Sequence, residues 1–218
     1  MFNAVWSFIT NPHSDFLGHT LDYLRLSAIP IVLSLLIGVT LAVLVSRSAI
    51  AAFIAVNLSG LMRAIPVIVF IILMLPILKT GERPGLIALT ILGIPPILLN
   101  TYTGIRTIDP AIIDAARGIG MTNWQILLRI QAPLVLPVLA AGTRTAAVQI
   151  VATATLAAFT GGGGYGAYIF DGISTFKNAE ILAGAIPVTI LALSVEVLTS
   201  GLQWLVTPAG LRVKALAE

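Results

Sequence analysis

Residues 26–46 read LSAIPIVLSLLIGVTLAVLVS, twenty-one positions without one charged side chain. The hydrocarbon core of a bilayer takes about 20 mostly apolar residues per helix, and this stretch meets that length. Asp22 and Arg25 precede it and Arg47 closes it. A helix that is apolar all round must be buried all round, either in a large core or in lipid. The composition decides between the two. Of 218 residues, 58% are hydrophobic and 10% are charged, where an ordinary soluble domain carries about 25% charged residues. The mean hydropathy is +1.03. A soluble domain of this size has too little interior for so much apolar surface. The chain therefore reads as an all-α integral membrane protein.

Further apolar runs follow at 49–78, 84–105, 134–159 and 180–206. Arg63 and Pro66 interrupt the run at 49–78, where proline removes a backbone donor and bends the helix. One kinked crossing is the favoured reading there, which makes five crossings in all; two partial helices would make six. Pro95 and Pro96 lie inside the run at 84–105. Orientation follows from lysine and arginine in the connecting segments. With the N-terminus outside, the cytoplasmic segments hold Arg47, Arg106, Arg117, Arg129, Arg212 and Lys214, against Arg25, Lys79, Arg83 and Lys177 outside. That bias places the N-terminus outside and the C-terminus in the cytoplasm.

Several classes are excluded or disfavoured. The chain has no cysteine, hence no disulfide and no thiolate site. His13 and His19 are six apart and make a poor metal site; residues 1–20 read as a polar lead-in without a basic signal-peptide start. No metal, cofactor or nucleic-acid partner is expected. There is no phosphate-binding G-x-x-x-x-G-K-[ST] loop, so ATP, if it powers the protein, binds another chain. No internal repeat of the secondary-transporter kind stands out, and no His, Cys or carboxylate cluster suggests a membrane enzyme.

The longest hydrophilic connection, 106–133, is unusually rich in local signals. Asp109 can cap a helix whose first residue, Pro110, suits that position. The helix is expected over 110–117, stopped by Gly118 and Gly120. Thr122 and Gln125 form a T-x-x-Q capping box for a second helix through Trp124, Ile126, Leu127 and Ile130, ending where Pro133 starts the next crossing. Ile112, Ile113, Ala116 and Trp124 are expected to be exposed apolar groups. Such a hairpin either lies along the membrane surface or docks a partner.

The residues Asp114-Ala115-Ala116-Arg117-Gly118-Ile119-Gly120, with Ile130, Ala132 and Pro133, resemble the coupling loop of ABC importer permeases. That pattern is Glu-Ala-Ala, three residues, Gly, nine residues, Ile-x-Leu-Pro. Asp114 stands for the usual Glu and Ala132 for the usual Leu. The resemblance implies the type I ABC importer permease fold, with Asp114, Ala115, Ala116, Gly120, Ile130 and Pro133 docking on a separate ATPase subunit. It also implies an extracytoplasmic substrate-binding protein, and a second permease copy or sister permease across a central pathway in a bacterial cytoplasmic membrane. Residues 100–105, 109–113, 141–146 and 154–158 look like the osmoprotectant subgroup, which imports glycine betaine, choline and carnitine. The run Gly161-Gly162-Gly163-Gly164-Tyr165-Gly166 resembles that subgroup's Gly-Ala-Gly-Gly-Leu-Gly. Similarity covers about residues 21–172. Permeases for amino acids such as methionine share the size and five-helix layout and are the alternative; a self-sufficient secondary transporter is the alternative of another class.

The run 161–166 reads either as a flexible loop or as small residues that let backbones approach closely. By the resemblance, Gly161, Gly163, Gly164, Tyr165 and Gly166 belong to the outer gate; Tyr102 is a candidate for the path through its aromatic face. Tyr102, Tyr165, Tyr168, Phe170 and Phe176 offer faces for a quaternary ammonium or simply anchor helix ends. Arg63, Arg144 and Glu196 fall inside expected crossings, where charges are expensive; pairing is favoured over a role in the path, and Arg144 can also snorkel to the surface.

Overall fold

The structure, a computed structural model, describes residues 2–11 and 14–207. Ten α-helices are described: α1 (Phe2–Ile9), α2 (Phe16–Val45), α3 (Ala49–Ala64), α4 (Val67–Leu78), α5 (Glu82–Arg106), α6 (Pro110–Gly118), α7 (Asn123–Ile126), α8 (Ala132–Thr153), α9 (Tyr165–Ser174) and α10 (Asn178–Val206). A π turn at Leu127–Gln131 joins α7 to α8, and a 3-10 turn at Ala154–Thr160 ends α8. Among the described residues, four stretches are long and apolar enough to cross a membrane: α2, α5, Asn123–Thr160 and α10.

The run at 49–78 is not one kinked helix. It is two helices bent by 92°. Pro66 is the cause: its ring disfavours helical backbone at the residue before it, and Ile65 is extended (φ −86°, ψ 122°). At 1.5 Å per residue α3 and α4 are about 24 and 18 Å long, each short of a hydrocarbon core of about 30 Å. Together they still carry the chain across. Arg47, just before α3, shares a groove with Arg106 and Asp114. Beyond α4, Gly81 N–H donates to the Thr160 carbonyl at 2.6 Å, at the opposite end. The chain thus traverses the bundle five times, the second time through a broken pair.

The N-terminal expectation needs correction as well. Residues 1–20 are more than a polar lead-in, because α1 occupies Phe2–Ile9 and α2 begins at Phe16. His19 lies within α2 with its ring 4.5 Å from Tyr168. His13, Arg212 and Lys214 fall outside the described residues.

The core runs α2–α5–α8–α10 in order of contact, and α5 is the most buried span. Pro95 and Pro96 remove the donors that the carbonyls of Ile91 and Leu92 would use, yet α5 continues through them. Close helix approach holds the bundle together, as expected where lipid supplies no hydrophobic drive between helices. A β-carbon on Gly142 of α8 would sit 2.8 Å from the Pro96 carbonyl oxygen of α5. One on Gly93 of α5 would lie 2.6 Å from the Ser34 hydroxyl of α2.

Candidate coupling loop and membrane-embedded groove

Local chemistry shapes the loop much as its residues dictate. Asp109 Oδ1 accepts from Ala111 N–H at 2.9 Å and opens α6. Thr122 and Gln125 form the reciprocal capping box, at 3.3 and 2.8 Å. The stop differs from expectation: Gly118 is the last helical residue, and only Gly120 adopts the left-handed conformation, with φ +84°. Met121 N–H then reaches back to the Ala116 carbonyl and Gly120 N–H to the Arg117 carbonyl, closing the helix end. Ala116 is buried, against expectation, whereas Ile112 and Trp124 are exposed and Ile113 is half-buried. Ile119, not singled out from the sequence, is 80% exposed. Asp114 and Ala115 are exposed; Asp114 makes only a loose 3.5 Å pair with Arg117. Ile130 is half-buried and Pro133 exposed.

Pro133 does not separate a loop helix from a crossing. The chain runs on from Asn123 to Thr160, and the π turn, with Ala132 N–H on the Leu127 carbonyl, absorbs the missing donor. Behind the loop, the ends of α2 and α5 and the start of α6 enclose a groove of about 700 Å³ bearing Arg47, Arg106, Arg117 and Asp114.

At the opposite end, residues 161–166 are packed rather than loose. Gly163 and Gly164 have φ of +74° and +69°, and β-carbons there would meet Asp22 and Tyr23 of α2 at 3.0 and 3.1 Å. Tyr165 is buried, its hydroxyl 2.7 Å from that of Thr20 and its ring 5.1 Å from Tyr23. Tyr168 is buried too, donating to the Ser14 carbonyl. Helix α9, which the sequence reading did not place, carries both tyrosines. The five aromatics do not form a cage. Phe170 packs edge-on against Phe159, Phe176 is 91% exposed, and Tyr102 sits half-buried toward the far end of α5.

Arg144 and Glu196 form an ion pair between α8 and α10. The Arg144 guanidinium reaches across to α10 rather than standing free. Arg63, at the last turn of α3, is exposed and has no ion-pair partner among the described residues, so pairing describes two of the three intramembrane charges. The pair lies in the wall of a groove of about 490 Å³ with Thr145, Gln149 and Gln203, polar side chains that sequence reading passed over. Gln149 lies four residues after Thr145 and Gln203 seven after Glu196, the helical spacings that could have found them.

A five-traverse bundle with an elaborate exposed loop at one end and a polar groove along its spans is a membrane transport component. The comparisons with known proteins make this specific. Residues 34–209 match the family model of the binding-protein-dependent transport system inner membrane component, and the chain belongs to that family. It is 36% identical to a carnitine transport permease of Listeria monocytogenes, over 96% of each chain. It is 34% identical to a glycine betaine/carnitine/choline transport system permease of Bacillus subtilis (strain 168), over 96% of this chain and 97% of the other. An osmoprotectant import permease of Salmonella typhimurium is 35% identical over 88% and 92%. Among solved structures, the inward-facing MetNI methionine ABC transporter superposes with a TM-score of 0.79 at 19% identity, covering 91% of this chain and 100% of that one. The fold is thus that of ABC importer permeases. The chain is a multi-pass inner-membrane permease component, not itself the ATPase, and its system includes a binding protein and an ATPase.

Proposed function

We propose that this chain is the permease of an ATP-driven importer for small quaternary-ammonium osmoprotectants such as glycine betaine, choline and carnitine. Similarity along 96% of the chain to permeases for carnitine and for glycine betaine/carnitine/choline carries the reading. Residues 1–218 form a single permease domain that pairs with a second copy or a sister permease in the bilayer. The loop at 106–133 is the coupling element, with Asp114, Ala115, Ala116, Gly120, Ile130 and Pro133 presented to the ATPase. Ile112, Ile119 and Trp124 are exposed on this one loop, apolar side chains that a docked ATPase subunit would cover. The packed run with Gly161, Gly163, Gly164, Tyr165 and Gly166 forms the outer end, where the binding protein delivers solute, and Tyr102 lies farther along the path. ATP binding draws the coupling loops together, and the two ends open alternately.

Uptake of labelled glycine betaine, choline and methionine by cells carrying the complete transporter tests the solute class. Quaternary-ammonium uptake is expected; methionine uptake alone would overturn that class while leaving the importer fold intact.

The proposed orientation places 106–133 in the cytoplasm and residues 2–11 outside, on the arginine bias. Single cysteines at Asn11 and Thr122, in a chain that has none, report it directly. An impermeant thiol reagent added to intact cells is expected to label position 11 and spare position 122. The reverse pattern would invert the topology.

A further inference from the structure

We infer that the groove beside Arg144 and Glu196 is a weak subsite for zwitterions, with Arg144 receiving the solute's carboxylate and Glu196 facing its ammonium. This rests on the proposed quaternary-ammonium solute class.

The pair joins residues 52 apart in the chain, one on α8 and one on α10. The pair bridges two helices that pack on each other, yet is not enclosed between them. Here each side chain is 36% exposed and opens on a shallow groove of about 490 Å³. Thr145, Gln149 and Gln203 line the same groove. Five polar side chains therefore gather along two apolar spans, where each one is costly unless paired or wetted.

The chemistry matches a solute with both charges. A guanidinium presents two parallel N–H donors to a carboxylate. A quaternary ammonium has no N–H to donate, so Glu196 acts on it through charge alone. A zwitterion entering between the two side chains exchanges one neutral pair for two, and no unpaired charge remains among the spans. With the groove empty, Arg144 and Glu196 neutralise each other. That internal competition keeps solute binding weak, as passage requires.

The test uses Val148→Cys, one turn from Arg144 in the groove wall, in the complete transporter in membrane vesicles. A small neutral thiol reagent measures access. Glycine betaine and carnitine are expected to slow labelling by about threefold at twice their dissociation constant, the 1 + [L]/Kd occupancy factor. Sucrose at equal osmolarity is expected to leave the rate unchanged. Choline, a cation whose entry leaves Arg144 unpaired, is expected to protect the native chain more weakly; Arg144→Gln should remove protection by both zwitterions and keep that by choline, and Glu196→Gln should remove all three. Should Arg144→Gln fail to reach the membrane, Arg144→Lys keeps the charge without the fork and is expected to weaken protection by betaine and carnitine but not by choline. Absence of protection, protection unchanged by these variants, or equal loss for choline and betaine would overturn the subsite. Uptake by the native transporter separates the two readings. Betaine uptake without protection removes the subsite alone, whereas methionine uptake alone removes the solute class, and the subsite then stands only if methionine, also a zwitterion, slows labelling of Val148→Cys.

Discussion

Replacing Gly120 with valine is expected to abolish solute uptake while the permease still reaches the membrane. Gly120 closes α6 with φ +84°, and a β-carbon there would meet nothing within 4 Å. The penalty is therefore backbone strain rather than collision. A side chain in left-handed backbone costs about 1–2 kcal/mol, and a β-branched one is a marked outlier. That strain falls on the turn whose bonds from Gly120 and Met121 hold the end of α6. Asparagine tolerates this conformation, so Gly120→Asn should retain transport. Gly118 is helical and also faces open space, so Gly118→Ala should be neutral or add helix stability of up to about 1 kcal/mol. Uptake and stimulation of the ATPase by loaded binding protein are the readouts. Native stimulation in Gly120→Val would take the turn out of the coupling pathway.

Gly142→Leu is expected to keep the permease from accumulating in the membrane at all. Its β-carbon would lie 2.7 Å from the Asn100 β-carbon and 2.8 Å from the Pro96 carbonyl oxygen. Backbone cannot swing aside as the tip of a side chain can, so α5 and α8 must separate. Overpacking of this kind costs about 1–3 kcal/mol and often more. Gly201→Leu on α10, with open space around it, controls for the change in hydrophobicity. Membrane abundance and the midpoint of thermal aggregation in detergent measure the difference. Equal behaviour of the two variants would mean that α5 and α8 do not pack at Gly142.

Several features were legible because their causes lie within a few residues. The caps at Asp109 and Thr122 bind backbone donors two or three positions on. Pro66 was visible as an interruption, but the 92° bend was not. A proline fixes where helical backbone stops, while the direction of departure depends on what the next segment packs against. The π turn before Pro133 was equally hidden, since a lost donor can be met by a kink, a break or one extra residue in the turn.

By itself the amino-acid order determined membrane residence, the apolar runs at 26–46, 84–105, 134–159 and 180–206, and the capped loop between Arg106 and Pro133. Hydropathy and local hydrogen bonding act at short range, so they can be read from neighbours. Only the tertiary structure decided which side of each span faces protein. It paired Arg144 with Glu196 across 52 residues, turned Tyr165 and Tyr168 into the core, and left Arg63 exposed. In water an apolar stripe marks the buried face of a helix. In a bilayer lipid is as apolar as the core, so the stripe vanishes and packing between small residues chooses the face.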